Sequence, residues 1–496
     1  MTGPQPGVQP YSAGPSAPSR TGSIVRTMLI AGALAACTAI VLGATPAPWA
    51  WESLRVMGVG IILLSIFHFS AERLKPAFVI WWLVLVSECI FFREGDVYSN
   101  ADAFQGTFPT AAYGEVVGWI LCFLAVLVCS ARVRGYFIRL FSGDYKWLTL
   151  FALLCVGSSI YAPRTMLALV WSFKLTLAVL AIVLCSTQIH DFRDTVSFLR
   201  FTFWGYVIIV LQPVVIAMMR GALFDEEGRM STIVSPNALS PNAGVVLLLA
   251  LTLFSKRKGE GLYKSAILLG IVACVVMILA GSKTGILAGI FAGGLFYCVC
   301  RRFGSGLGYI AATAVLIGML ALTTPLGSYF HTYSEGAGAD TFSGRTLLWS
   351  AVMPAIRQKP ILGHGYMSSE FVAFQVNAVG WAAPHLHNGF LEALYNNGVP
   401  GLLVILAICI VIPRNLYRVL RRAPSTDPIY RIGAGCLALY AFLLINGLFN
   451  SSFGGKATAP FMVLLALVVV SNKLLELASR PSANGEPTRL DARTSR

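Results

Sequence analysis

Four of the six histidines, His331, His364, His385 and His387, fall within one segment, residues 325–398. An imidazole titrates near pH ~6.5, so it can take up or release a proton around neutrality. The same segment carries Arg345 in Gly344-Arg345-Thr346-Leu347-Leu348-Trp349. It then runs through Pro360-Ile361-Leu362-Gly363-His364-Gly365-Tyr366 to HLHNGFLEALYNNGVPG, His385 to Gly401. A guanidinium can donate two parallel hydrogen bonds to a phosphate or carboxylate. Two more cations precede the segment: Lys283 in Gly281-Ser282-Lys283-Thr284, and Arg229 among Asp225, Glu226 and Glu227. Proton transfer beside an anionic group is the chemistry these residue types suit. His385-x-His387 with His364 also has the outline of a zinc set, but no paired Cys or close carboxylate completes a tetrahedron.

The elements that must position these groups follow from periodicity. His387, Leu391 and Leu394 share one helical face by i, i+4 and i+7 spacing. Asn396-Asn397-Gly398 stops that helix, and Pro400 precedes a new apolar run. A short helix lying along the membrane would hold His387 at the bilayer surface.

Membrane residence follows from composition. Of 496 residues, 56% are apolar and 12% charged, against about 25% charged in a soluble domain. The mean hydropathy is +0.72. The apolar residues come in runs of spanning length, which excludes a cytoplasmic enzyme. Fourteen spans are expected, with a range of 12–14: 27–44, 52–70, 76–92, 114–130, 147–162, 165–186, 198–218, 241–254, 264–281, 284–300, 306–323, 399–413, 431–448 and 458–474. The runs at 147–162 and 241–254 are the weakest. Basic clusters such as Arg132/Arg134/Arg139/Lys146, Arg301/Arg302 and Arg414/Arg418/Arg421/Arg422 recur at alternate connections. That is the positive-inside pattern, and it sets both termini inside. The net charge of +15 is therefore a topology signal and implies no nucleic-acid partner. All 11 cysteines lie in apolar runs and behave as small hydrophobes.

The expected fold is thus an all-α, polytopic membrane protein, N-in and C-in, with one long periplasmic loop containing short helices. Its parts are a disordered tail at 1–26, a bundle at 27–324, the loop at 325–398, further spans at 399–474 and a disordered tail at 475–496.

Taken in order, the pieces at Gly281–Thr284, Arg345 with Trp349, Pro360 to Gly365, His387-Asn388 and Gly398/Gly401 resemble the O-antigen ligase and O-antigen polymerase superfamily, which includes exopolysaccharide polymerases. The resemblance covers about residues 225–405. It implies a metal-independent, cofactor-free glycosyl transfer at the periplasmic face of the bacterial inner membrane. The implied donor is an oligosaccharide on undecaprenyl pyrophosphate, drawn from the membrane lipid, and the implied acceptor is a sugar hydroxyl. His387 would be the base and Arg345 would stabilise the pyrophosphate. Lys283, Arg229, Asn388, His385 and Asn242 would contact the pyrophosphate or sugar. A flippase and a chain-length regulator are implied partners. Ligases and many polymerases of that superfamily place Arg where this chain has Lys283, and Ser-Lys-Thr there looks more like the exopolysaccharide polymerases.

Plainer readings stand beside these. Arg345 would neutralise Asp340, Lys283 would snorkel from a span end, and Arg229 would sit in a solvated charge cluster. Asn237 and Asn242 read as turn and cap residues, and Trp349, Tyr366 and Trp381 as interfacial aromatics or sugar platforms. Lys174 lies mid-span, where an ionisable group is costly, and has no assigned role. Three functions compete: a repeat-unit polymerase, a ligase moving a finished glycan to lipid A core, and a non-catalytic transporter of lipid-linked glycan.

Overall fold

The computed structural model describes residues 75–90, 110–219, 223–225, 228–230, 232, 234–254, 261–300, 302–324, 345–370, 385–451 and 453–480. Besides a five-residue helix at Tyr136–Leu140, the helices among the described residues are α1 (Pro76–Ile90), α2 (Thr110–Ala131), α3 (Tyr145–Ser159), α4 (Thr165–Gln188), α5 (Phe192–Met219), α6 (Pro236–Phe254), α7 (Gly261–Leu279), α8 (Lys283–Val299), α9 (Phe303–Thr323), α10 (Arg345–Gln358), α11 (Gly389–Arg422), α12 (Pro428–Phe449) and α13 (Ala459–Ala478). Among the described residues no strand forms, only an isolated antiparallel bridge between Phe224 and Met230. The chain is an all-α, multi-pass membrane protein. Helices prevail because a segment in lipid must satisfy its own backbone hydrogen bonds.

Among the described residues, seven helices are long and apolar enough to cross a bilayer: α4, α5, α6, α9, α11, α12 and α13. Shorter apolar helices occur in α1, α2, α7 and α8. The expected spans from 76–92 onward each coincide with a helix, and α3, at the weak 147–162 run, belongs to neither set. The spans at 27–44 and 52–70, the tail at 1–26 and the tail beyond residue 480 lie outside the described residues. The last helix continues to Ala478, past the expected end at 474.

α13 forms the centre, with every residue from Ala459 to Ser471 buried. A helix apolar on all sides belongs inside a bundle. Around it α3 packs on α4, α11 on α12, and α12 on α6 and α8. Lipid-facing surface is left on α2 (Leu121, Leu124, Val128) and α9 (Leu307, Val315, Met319, Leu322).

The connections gather at two ends. At one, Arg414 Nη2 donates to both carboxylate oxygens of Asp144 (2.9 and 3.0 Å), Asn415 bridges Asp144 and Asn472, and Lys75 pairs with Asp194 at 2.6 Å. At the other, the α3–α4 turn, the segment after α10, the start of α11 and the α12–α13 connection interlock. Gly244, two turns into α6, has no Cβ to meet Phe442, two turns before the end of α12. That close approach levels the start of α6 with the same end.

One correction concerns α6. It begins at Pro236, so Asn237 and Asn242 are helical residues, neither turn nor cap. The duplicated Ser-Pro-Asn-Ala supplies a helix start in its first copy and helix interior in its second.

The break in α11 positions everything above it. Gly398 has φ 65° and ψ −164°, a region essentially confined to glycine. A Cβ there would stand 2.0 Å from the Ile361 carbonyl oxygen. Gly398→Ala is therefore expected to cost at least about 2 kcal/mol from backbone strain, before any overlap is counted. Thermal unfolding in detergent measures this, with Gly318→Ala as control because nothing lies within 4 Å of that position. Equal melting temperatures for the two variants would contradict the account.

Candidate active site

The site is built from the start of α11 upward. Asn388 caps the helix, its Oδ1 accepting from Phe390 N (3.0 Å) and Leu391 N (3.1 Å). The cap replaces hydrogen bonds the first helical turn lacks. His387 comes before the cap, at φ 51°. This corrects the expectation that His387 shares a helical face with Leu391 and Leu394. It lies on the left-handed turn leading in, a conformation uncommon for non-glycine residues but several-fold enriched for His and Asn.

Leu386 clamps the two histidines in place. Its fully buried side chain packs with Leu348, Val352, Ile356 and Tyr395. Its carbonyl accepts from Trp349 Nε1 at 2.8 Å, and its N–H donates to Glu392 Oε1 at 3.3 Å. His385 and His387 thus flank a fixed residue, ring centroids 5.6 Å apart and edge-on. Leu348, Val352 and Ile356 recur every four residues along α10, giving it the apolar face that docks there. Arg345 stands one turn before Trp349 on that helix, and its charge reaches His387. A cation at a helix N-terminus opposes the helix dipole by about 0.3–1 kcal/mol, so local stability does not explain it.

The turn carrying Glu370 is fixed by a polar clasp. Tyr366 Oη donates to Gly455 O (2.9 Å), and Ser369 N donates to Asn396 Oδ1 (2.8 Å). Asn396 Nδ2 donates to Ser369 Oγ and Gly454 O. His364 stacks on Tyr395 at 4.4 Å with Nε2 at 2.9 Å from Ala355 O, so it serves this scaffold and stands apart from the His385–His387 pair. Among the described residues no three His, Cys, Asp or Glu side chains are grouped to hold a metal.

Glu370 Oε2 lies 3.2 Å from His385 Nδ1. Burial alone would make His385 less basic, but the Glu370 charge and hydrogen bond outweigh it and raise its pKa. Glu392 adds to the rise and Lys456 opposes it. Glu370 is correspondingly held below the usual carboxylate range despite burial, by His385 and Lys456. His387 goes the other way. Burial, then the charges of His385 and Arg345, bring it down to about 3. The basicities of two histidines two residues apart are thereby driven in opposite directions, His385 toward imidazolium and His387 toward imidazole.

Glu392 is 0% exposed. Oε1 accepts from Leu386 N and Ser451 Oγ, while Oε2 has no hydrogen-bond partner among the described residues. Sequence reasoning kept Glu370, with His385, only as an alternative base to His387 and assigned no role to Glu392, Ser451 or Lys456. The one available signal was Glu392 following the cap by four residues inside an otherwise apolar helix start.

Residues 266–406 match the family model described as O-antigen ligase. The match supports the O-antigen ligase and polymerase superfamily. It contains Lys283, Arg345, His385, His387 and Asn388, together with Glu370 and Glu392; Arg229 and Asn242 lie before it. A search of curated proteins finds no match.

The remaining expected residues form a second group where α6, α7 and α8 meet. Ser240 of α6 touches Gly285 of α8, which brings the starts of those helices together. Lys283 opens α8, and buried Asn242, whose Oδ1 has no hydrogen-bond partner among the described residues, follows Ser240 by two positions. Met230 N donates to Leu279 O at 2.7 Å, tying the Arg229 turn to the end of α7. Arg229 Nε lies 3.2 Å from Asp225 Oδ2, the charge pairing anticipated for it.

Proposed function

We propose that this protein polymerises lipid-linked repeat units of an exopolysaccharide, capsule or O-antigen at the periplasmic face of the bacterial inner membrane. The superfamily supports glycosyl transfer from a lipid-linked glycan to a sugar acceptor. The observation that carries the chemistry is the histidine pair in divergent surroundings, His385 against Glu370 at 3.2 Å and His387 buried within reach of the Arg345 charge. Divergent environments of two titratable groups assign one as proton acceptor and the other as charge stabiliser.

In this reading the undecaprenyl pyrophosphate lies against Arg345 and the His385 imidazolium, and Lys283 and Arg229 complete its cationic surroundings. His387, neutral, takes the proton of the acceptor hydroxyl. The acceptor oxygen bonds to the anomeric carbon as the bond to the phosphate oxygen breaks. The electron pair leaves with the pyrophosphate, in one displacement with inversion. The arriving dianion offsets the charges that keep His387 weakly basic, so the base strengthens when the donor is bound. No metal enters this scheme, and product formation should survive EDTA.

Sidedness is supported by the ends of the bundle. The histidine cluster lies opposite the end where Arg414 meets Asp144 and where basic connections concentrate, and basic connections face the cytoplasm.

Supplying the reconstituted protein with lipid-linked repeat units alone tests the polymerase reading. A ladder of products one repeat apart is expected. Transfer that occurs only when lipid A core is added would make the protein a ligase, the second reading. Binding without transfer in either case would leave a transporter.

A further inference from the structure

Two lysines lie against Trp171, on α4. Lys174 Nζ lies 4.8 Å from its ring centroid and Lys456 Nζ 4.3 Å from it. Lys174 also stands 5.1 Å from the Trp119 ring on α2. Lys174 is 0% exposed in a spanning helix, a placement expensive enough to call for a function. Helical side chains lean toward the N-terminus, which for α4 is the end bearing the histidine cluster. Lys456 reaches Trp171 from the α12–α13 connection at that same end. The Trp171 Nε1 is buried with no hydrogen-bond acceptor among the described residues. Indole N–H groups normally find a partner when buried.

Lys456 links these groups to the histidine cluster. Lys456 is close enough to bear electrostatically on both Glu370 and His385. Lys456 bears on His385 and Arg345 on His387, so the cluster meets a cation beyond the one assigned to the leaving pyrophosphate. An unpartnered N–H among ammonium groups is a donor set for a phosphate oxygen, which lysine binds as a point charge.

We propose that Lys174, Lys456 and the Trp171 N–H form a second anion site, which holds the phosphate of a lipid-linked acceptor while the donor occupies Arg345. The assignment of this anion to the acceptor rests on the polymerase reading. A ligase acting on lipid A core would not need a second polyprenyl pyrophosphate. The shared chemistry is a lipid phosphate, and the two sources are the acceptor and a bulk anionic phospholipid.

Native mass spectrometry of the full-length protein, loaded with undecaprenyl pyrophosphate in neutral detergent, reads occupancy without turnover. Wild type is expected to bind two molecules. Lys456→Gln, a change in a half-buried connection, should bind one, with affinity at the second site down at least tenfold. Lys174→Gln and Trp171→Phe test the buried members, and Lys174→Arg should restore binding lost in Lys174→Gln. Arg345→Ala should also bind one, and the Arg345→Ala/Lys456→Gln double variant none. One molecule bound to wild type, or two to Lys456→Gln, would overturn the inference. So would phosphatidylglycerol displacing the Lys456-dependent molecule at equal concentration, which would make the site a phospholipid contact. Failure of the glycosyl-transfer reading has a different signature: two molecules bound and no product formed.

Discussion

Arg345→Ala is expected to reduce product formation about a thousandfold with the protein still folded. A cation about 4 Å from the departing pyrophosphate contributes roughly 4 kcal/mol at an effective dielectric near 20. Each ~1.4 kcal/mol is a factor of ten in rate. Leu348, Val352 and Ile356 keep α10 docked without Arg345, so melting temperature should change little. Arg345 is also one of the charges that depress His387, whose pKa stands at about 3. Its removal should move the His387 titration upward, as NMR of labelled histidine would record. Lost activity with an unmoved His387 would separate Arg345 from the base and break the link between them. Retained activity would remove Arg345 from the pyrophosphate altogether.

Glu370→Gln should lower the rate roughly 10- to 100-fold, the size of a hydrogen bond to a charged group. It should also move the pH profile in one direction. Glu370 raises the His385 pKa, so its loss lowers that pKa toward what burial and Lys456 favour. If the His385 imidazolium holds the pyrophosphate, activity is lost as pH rises through its pKa, and the alkaline limb shifts to lower pH in the variant. If His385 were instead the base, the acid limb would shift to lower pH. The same pair sets a stability window. The raised His385 pKa adds stability that is full below its unfolded value near ~6.5 and is lost as pH rises through the folded value. The lowered Glu370 pKa adds stability present above its unfolded value near ~4.3, lost as pH falls through the folded value. Thermal unfolding across pH should accordingly show a wild-type advantage over Glu370→Gln that narrows at both extremes.

The spanning helices from α1 onward were legible because a bilayer leaves few alternatives: a long apolar run with no charges must be a helix, and basic connections mark one side. The neighbourhood of Arg345 and His387 was legible because their motifs are unusual in an otherwise apolar chain. The helical placement of His387 was not, since periodicity extends a pattern through a cap without seeing it. The left-handed turn at His387 and the break at Gly398 depend on contacts with Trp349, Glu392 and Ile361, of which Trp349 and Ile361 come from segments whose packing no local pattern encodes. Asn237 and Asn242 misled for a related reason. Asn and Pro carry turn signals locally, but packing against α12 and α8 extended the helix through them. Glu370 and Lys456 were hidden by distance along the chain, each meeting His385 only once α11 and the α12–α13 connection are folded together. Lys174 was visible as costly, but the indoles beside it come from two helices.

The most direct test of the central claim compares purified wild type with His387→Asn on a defined undecaprenyl-pyrophosphate-linked repeat unit, with EDTA present. Asparagine tolerates the left-handed backbone at this position, so the turn survives while the imidazole is removed. The account predicts a ladder of lengthening products from wild type and none from the variant at equal protein level and melting temperature. An undiminished ladder from His387→Asn would contradict it, because no proton acceptor assigned to the reaction would then be needed.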